Sequence, residues 1–206
     1  MERTSYHTIT RVSEGLYKEK GSKFIAVALP VKSETDVKAC QEELRKKYYD
    51  ARHHCYAYVL GEDYALFRAN DDGEPNHSAG YPILGQIRSK DLTNTLVVVI
   101  RYFGGTKLGV SGLIHAYKTA TEEALNENKI IKIPITDTVE VTFDYESTSE
   151  VMRLIKELDL KIESQKYEID CSLVINVQVD QTEMLMKKLQ LLKDTGSRLV
   201  FGLVKF

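Results

Sequence analysis

Leu96-Val97-Val98-Val99-Ile100, followed by Arg101-Tyr102-Phe103-Gly104-Gly105-Thr106-Lys107-Leu108-Gly109, organises the rest of the chain. Consecutive aliphatic residues between polar neighbours predict a central strand, Leu96 to Ile100, buried on both faces. Gly104-Gly105 then permits positive φ and the close approach of another backbone or a ligand. Thr106 to Gly109 leads into a helix. A strand, a glycine turn and a helix N-terminus make a candidate anion cradle, because such a turn combines free N–H groups with the positive end of a helix dipole. Within the helix, Val110, Leu113, Ile114, Tyr117, Ala120 and Ala124 recur at helical spacing and predict a core stripe. Gly105, Gly109, Gly112 and Ala116 form a row of small residues. That row reads either as room for a phosphate or as close packing of helix on sheet. The nucleotide fingerprints GxxxxGK[ST] and GxGxxG are both missing.

Upstream, Tyr6 to Val12 reads as a strand, with a turn at Ser13-Glu14-Gly15 and a charged turn from Lys18 to Lys23. Phe24 to Val31 reads as the next strand. Ser33 with Asp36 resembles a capping box. It opens a helix whose apolar face is Val37, Cys40, Leu44 and Tyr48. Arg45-Lys46-Lys47 complements that helix's dipole. His54 to Leu60 is a strand, Gly61-Glu62-Asp63 its turn, and Tyr64 to Ala69 the returning strand. His53 and His54 point to opposite faces of a strand, so both cannot reach one ion.

Asn70-Asp71-Asp72-Gly73-Glu74-Pro75-Asn76-His77-Ser78-Ala79-Gly80 concentrates three carboxylates and a histidine in one loop. With His54, the residues Asp71, Asp72, Glu74 and His77 form a candidate polar site able to supply acids, bases or metal ligands. The same acids can cap helices or pair with Arg68 and Arg101, and Asp72-Gly73 and Glu74-Pro75 are plain turn signals. EF-hand spacing is absent, and no nucleophile–base pair is legible. Gly80-Tyr81-Pro82 opens a short helix.

Downstream, Lys129 to Ile133 is a strand ended by Pro134, and Pro134-Ile135-Thr136 marks a domain boundary. The expected domains are residues 1–134 and 135–206. The second alternates cleanly. Thr138 to Tyr145 is a strand, and Ser147 with Glu150 caps a helix. Ile162 to Ile169 and Ser172 to Val179 form a hairpin. Asp180 with Glu183 caps a second helix, and Leu199 to Val204 is the last strand. The order βαββαβ is the ferredoxin-like plan, so the fold class is α+β.

With 43% hydrophobic and 28% charged residues in 206, the composition is that of an ordinary soluble globular chain. The net charge of −2 gives no global attraction to nucleic acid. Residues 1–136 carry 19 Lys and Arg against 17 acids, and the remainder 9 against 13, so the first part is the better polyanion partner. Cys40, Cys55 and Cys171 match no zinc spacing. Without a signal peptide or a membrane-length apolar run, the expectation is a cytoplasmic protein with no membrane partner.

Asp71-Asp72-Gly73-Glu74-Pro75, Ser78-Ala79-Gly80-Tyr81-Pro82-Ile83-Leu84, Val97 to Gly109, Gly112-Leu113 with Ala116-Tyr117, and Arg52-His53-His54-Cys55-Tyr56-Ala57-Tyr58 resemble the IMPACT family, in particular its bacterial two-domain members. The likeness covers nearly the whole chain. It implies an N-terminal domain with the left-handed βαβ of elongation factor G domain IV. It also implies a C-terminal ferredoxin-like domain similar to elongation factor G domain V. The family motif falls on His54, Asp71, Asp72, Gly73, Glu74, Pro75, Gly80, Arg101, Tyr102, Phe103, Gly104, Gly105, Thr106, Lys107 and Gly109. Tyr81 and His115 depart from it, where relatives often carry a basic residue.

Eukaryotic relatives regulate translation by protein–protein competition, and bacterial members are most often linked with nucleic acid. The resemblance therefore implies a translation-linked binding protein without cofactor or metal. RNA or the ribosome would meet Arg101, Tyr102, Phe103, Gly104, Gly105, Thr106 and Lys107, with Arg68 and Lys118 as further cations. The alternatives are an adaptor for a translation-regulatory protein and a metal-dependent hydrolase built on His54 and the Asp71–His77 loop.

Overall fold

The computed structural model describes residues 3–168 and 170–204. Ser5–Ile133 form one compact unit, and the residues before Ser5 with those from Pro134 onward form another. The class is α+β, with antiparallel sheets carrying helices.

The first unit is built on a five-stranded sheet of β2 (Ser13–Glu19), β3 (Ser22–Pro30), β6 (Thr95–Tyr102), β4 (His53–Leu60) and β5 (Leu66–Asn70), in that spatial order. Every neighbouring pair is antiparallel. β6 is the middle strand, and Thr95 to Arg101 are all buried, as an aliphatic run with helices over both faces requires. Because β3 and β4 both run antiparallel to β6, they are parallel to each other. α1 (Glu34–Lys47) connects them as a split β–α–β.

Alternation along β6 separates two cores. Val97 and Val99 join Phe24, Ala26, Cys55 and Ala57 beneath α2 (Gly80–Ser89) and α3 (Gly109–Asn126). Leu96, Val98 and Ile100 face the other way and meet Val37 and Leu44 of α1. The Ser33–Asp36 capping box is formed, with Asp36 N–H donating to Ser33 Oγ at 3.1 Å and Ser33 N–H to Asp36 Oδ2 at 3.0 Å. Elsewhere in this unit β1 (Ser5–Ile9) pairs with β7 (Ile130–Pro134).

Several local expectations are corrected. Ser13-Glu14-Gly15 is not a turn but the start of β2, and the charged segment from Lys18 is split between β2 and a tight turn at Lys20-Gly21. A Cβ on Gly15 would lie 2.4 Å from Ala124 N and 2.6 Å from Ala120 O, so this glycine lets α3 press against the strand. On α3, Leu113, Tyr117, Ala120 and Ala124 are buried as expected, but Val110 and Ile114 are 53% and 39% exposed. Ala116, Thr121 and Leu125 complete the buried stripe instead.

In the second unit, β8 (Thr136–Phe143), α4 (Thr148–Glu157), β9 (Lys161–Tyr167), β10 (Cys171–Gln178), α5 (Val179–Asp194) and β11 (Leu199–Leu203) follow one another. The sheet order is β11-β8-β10-β9, with all pairs antiparallel, and one core gathers Val141, Leu154, Leu173 and Leu185. The caps differ from the spacing argument. Asp144, not Ser147, takes the exposed donors, accepting from Ser147 N–H at 3.0 Å and Ser147 Oγ at 2.6 Å. These bonds hold the Asp144 carboxyl below its ordinary range. α5 opens one residue before Asp180 without a side-chain cap. The expected end of the β9 strand, Ile169, lies outside the described residues.

Candidate functional site

The loop between β5 and α2 packs its acids inward. Asp71 accepts from the backbone N–H of His77 at 2.9 Å, Ala79 at 3.0 Å and Gly80 at 2.8 Å. It thus satisfies donors at the start of α2, whose N-cap residue Ala79 offers no side-chain acceptor. Asp72 accepts from His54 N–H at 2.6 Å and from Arg45 at 3.0 Å, which fixes the end of β4 against α1. Both aspartates therefore hold the loop in shape.

Glu74 is different. It sits 2.5 Å from Arg101 Nη1, and the two side chains are 4% and 7% exposed. Tyr117 OH donates to the same Oε1 at 2.8 Å. Cys55 Sγ lies 3.2 Å from Tyr117 OH and 3.0 Å from the Asp71 carbonyl, so its one S–H hydrogen serves either. Burial pushes both the Cys55 thiol and the Tyr117 phenol up, keeping them protonated. The Arg101 guanidinium also lies over the Phe24 ring at 5.3 Å and near Phe103 at 5.6 Å. Sequence reasoning placed Arg101 at the surface to meet phosphate. Its position on β6, facing the α3 side, buries it instead.

The two histidines part as strand geometry requires. His53 Nδ1 lies 2.8 Å from the Asp72 carbonyl. His54 is buried, with neither ring nitrogen in a hydrogen bond of ordinary geometry. Burial and then the nearby Arg45 charge lower its pKa, against smaller opposing effects of Asp72 and the Tyr48 carbonyl. His77 is exposed and meets the Tyr81 ring edge-on at 4.7 Å. His115 similarly meets Tyr17, at 5.6 Å. Among the described residues, no three His, Cys, Asp or Glu side chains are grouped to hold a metal ion.

The glycine turn divides by role. A Cβ on Gly104 would lie 1.9 Å from the Gly21 carbonyl carbon and 2.1 Å from Ser22 N, so Gly104 is there for the β2–β3 turn. Its N–H donates to Ser22 Oγ at 3.1 Å. Gly105 is the conformational glycine, with φ +87° and open space around it. Gly105, Thr106 and Lys107 are exposed, and no protein acceptor is found for their N–H groups among the described residues. α3 then starts at Gly109 without a side-chain cap and without an acid in its first turn. Tyr102 faces α1, donating to Asp50 at 2.7 Å, whereas Phe103 is 54% exposed.

Between this turn and the Glu74–Arg101 pair lies a cavity of about 360 Å³. Phe103, Leu108, Val110 and Leu113 form its apolar wall, Glu74 and Arg101 its polar floor, and Lys107 its charged rim. Neither Arg68 nor Lys118 lines it. Sequence reasoning did not place Cys55 and Tyr117 in this group. Their only signal was a polar-tipped residue at a core position of each element.

The first unit thus carries a strand–glycine–helix corner and a buried Glu–Arg pair. Residues 20–125 match the Impact N-terminal domain. The chain is 32% identical to the IMPACT family member YvyE of Bacillus subtilis, over 79% of this chain and 75% of that protein. It is 34% identical to YigZ of Escherichia coli, over 72% and 74%. A protein IMPACT homolog of Saccharomyces cerevisiae matches at 35% over 50% of this chain and 42% of its own length. A crystal structure of a hypothetical protein superposes with a TM-score of 0.68 and 25% identity, covering 97% of this chain and 98% of that one. The chain belongs to the IMPACT family. Among the described residues, no helix is long and apolar enough to cross a membrane.

Proposed function

We propose that this protein is a translation-linked binding module that docks single-stranded RNA at the corner between β6 and α3. The observation that carries the reading is the open N-terminus of α3. The exposed residues Gly105 to Lys107, whose N–H groups have no protein acceptor among the described residues, precede a helix with neither cap nor acid, beside a cation and an exposed aromatic ring. Amides and a helix dipole favour a phosphate, Lys107 supplies charge, and Phe103 offers a stacking face that accepts any base. The contact chemistry is the same whether the strand is ribosomal or free. With few cations and a net charge of −2, the binding is weak and salt-sensitive. The link to translation is carried over from the family likeness.

A second reading, a protein adaptor, draws on the exposed Val110 and Ile114, which extend the apolar rim. Fluorescence polarisation of a labelled single-stranded RNA at low ionic strength separates the two. Combined Phe103→Ala and Lys107→Ala lowers affinity about tenfold or more if the strand docks here. Unchanged binding removes the site and leaves the adaptor.

A further inference from the structure

Independently of the α3 corner, we infer that β11 is a self-pairing edge, through which two copies of the chain join their second-unit sheets antiparallel about a two-fold axis at Phe201. The backbone shows the edge to be open. Asp144 N–H donates to the Arg198 carbonyl at 3.2 Å, and Val204 N–H donates to the Thr138 carbonyl at 2.8 Å. Even-numbered residues of this segment therefore turn their backbone groups to β8, and Leu199, Phe201 and Leu203 turn theirs outward. No further strand meets them among the described residues.

The other edges of the two larger sheets are guarded. β9 carries Lys161, Glu163 and Lys166. β2 carries Glu14, Lys18 and Glu19, and its Leu16 N–H donates to Glu123 of α3 at 3.2 Å. β5 holds Arg68, and the Arg88 guanidinium lies 4.1 Å over its Phe67 ring. β11, by contrast, reads Leu199-Val200-Phe201-Gly202-Leu203, with no charge, no proline and no bulge against β8. Those are the features that keep an edge from pairing with another chain. Val200 and Leu203 are 69% and 47% exposed.

The occupant is a second copy because the strand complements itself. With Phe201 opposite Phe201, Leu199 of each copy faces Leu203 of the other. Every outward residue is then paired, and apolar meets apolar. On the open face of the sheet, Val200 falls opposite Gly202. A depression of about 240 Å³ lies there beside Glu140 and Thr142, and a Cβ at Gly202 would touch nothing. Val200 of the second copy fills it. The charges agree as well. Arg198 of one copy stands diagonally across from Glu140 of the other, about 12 Å away at Cα by strand spacing and rise, which the two extended side chains can span. So short a strand pair covers less than the roughly 800 Å² per partner of a stable interface, so the dimer is weak and forms at high concentration.

Sedimentation equilibrium of the full chain, from micromolar to near-millimolar concentration, tests the pairing. The native mass is expected to rise from one chain toward two, and to stay at one chain in Val200→Lys and in Leu203→Pro. Val200→Lys places a charge at an exposed site. Leu203→Pro removes an outward N–H that β8 does not use. A native chain that stays single throughout, or variants that associate as it does, overturn the inference.

Oxidative cross-linking tests the register, in a Cys40→Ser background because Cys55 and Cys171 are buried. Residues 200 and 202 of opposite copies form a non-hydrogen-bonded pair with Cα atoms about 4.5 Å apart, within disulfide reach. A mixture of Val200→Cys and Gly202→Cys chains is expected to give the mixed dimer. Each variant alone, with its cysteines about 8 Å apart at Cα, is expected to give none. Absence of the mixed dimer, or cross-linking of either variant with itself, overturns the two-fold axis at Phe201.

Discussion

Arg101 on β6 and Glu74 in the β5–α2 loop form an ion pair at 2.5 Å with both side chains more than nine-tenths buried. Removing one partner strands the other as an uncompensated buried charge, which costs about 3–5 kcal/mol. Glu74→Ala and Arg101→Met each destabilise the first unit by that amount. The double variant Glu74→Leu with Arg101→Met loses less than either single change. Hydrogen exchange of the β6 amides measures this, because it reports the opening of this unit rather than of the whole chain.

The two adjacent glycines separate by cause. Gly104→Ala drives a methyl group into the Gly21–Ser22 backbone and shifts the β2–β3 turn, with a loss of about 3 kcal/mol at the upper end for overpacking. Gly105→Ala meets no atoms and costs only its left-handed conformation, about 1–2 kcal/mol. Chemical denaturation of the two variants side by side gives the order. Equal losses contradict the packing role of Gly104.

Asp71 holds the backbone donor of His77 in the loop and those of Ala79 and Gly80 at the start of α2. Asp71→Ala is expected to cost about 1–2 kcal/mol, as for a lost helix cap. It speeds exchange of the Ala79 and Gly80 amides specifically. Asp71→Asn, which keeps an acceptor, restores most of the protection.

His54 gives the chain a pH dependence. Its folded pKa lies below the ordinary 6.5, so the folded state resists the proton that the unfolded state accepts. The contribution is complete above about 6.5 and is lost as the pH falls from there through the folded value. Thermal unfolding between pH 7.5 and about 5.5 shows a falling Tm in the native chain and a flatter profile in His54→Phe. Parallel profiles contradict the assignment.

What the sequence makes legible follows the reach of each signal. The aliphatic run Leu96 to Ile100 carries its own burial, so the middle strand of the sheet could be read directly. The Ser33–Asp36 box is local and formed as spacing indicated. Gly15 reads as a turn residue and Gly104 as a glycine permitting either positive φ or close approach, because the two needs look the same in one dimension. Their partners, α3 and the β2–β3 turn, lie far away in the chain.

Arg101 shows the same limit. A cation beside a glycine turn suggested phosphate, and only the tertiary placement of Glu74 and Tyr117 reveals the buried network. Phe103 and Lys107, by contrast, are exposed at the turn.

Docking of a strand at the α3 N-terminus is tested most directly by the salt dependence of RNA affinity. The logarithm of the binding constant is plotted against the logarithm of salt concentration for the native chain and for Lys107→Ala. Loss of one phosphate contact makes the slope shallower by about 0.7. A slope identical in the two proteins, with affinity unchanged, means that no phosphate meets Lys107 and that the strand binds elsewhere.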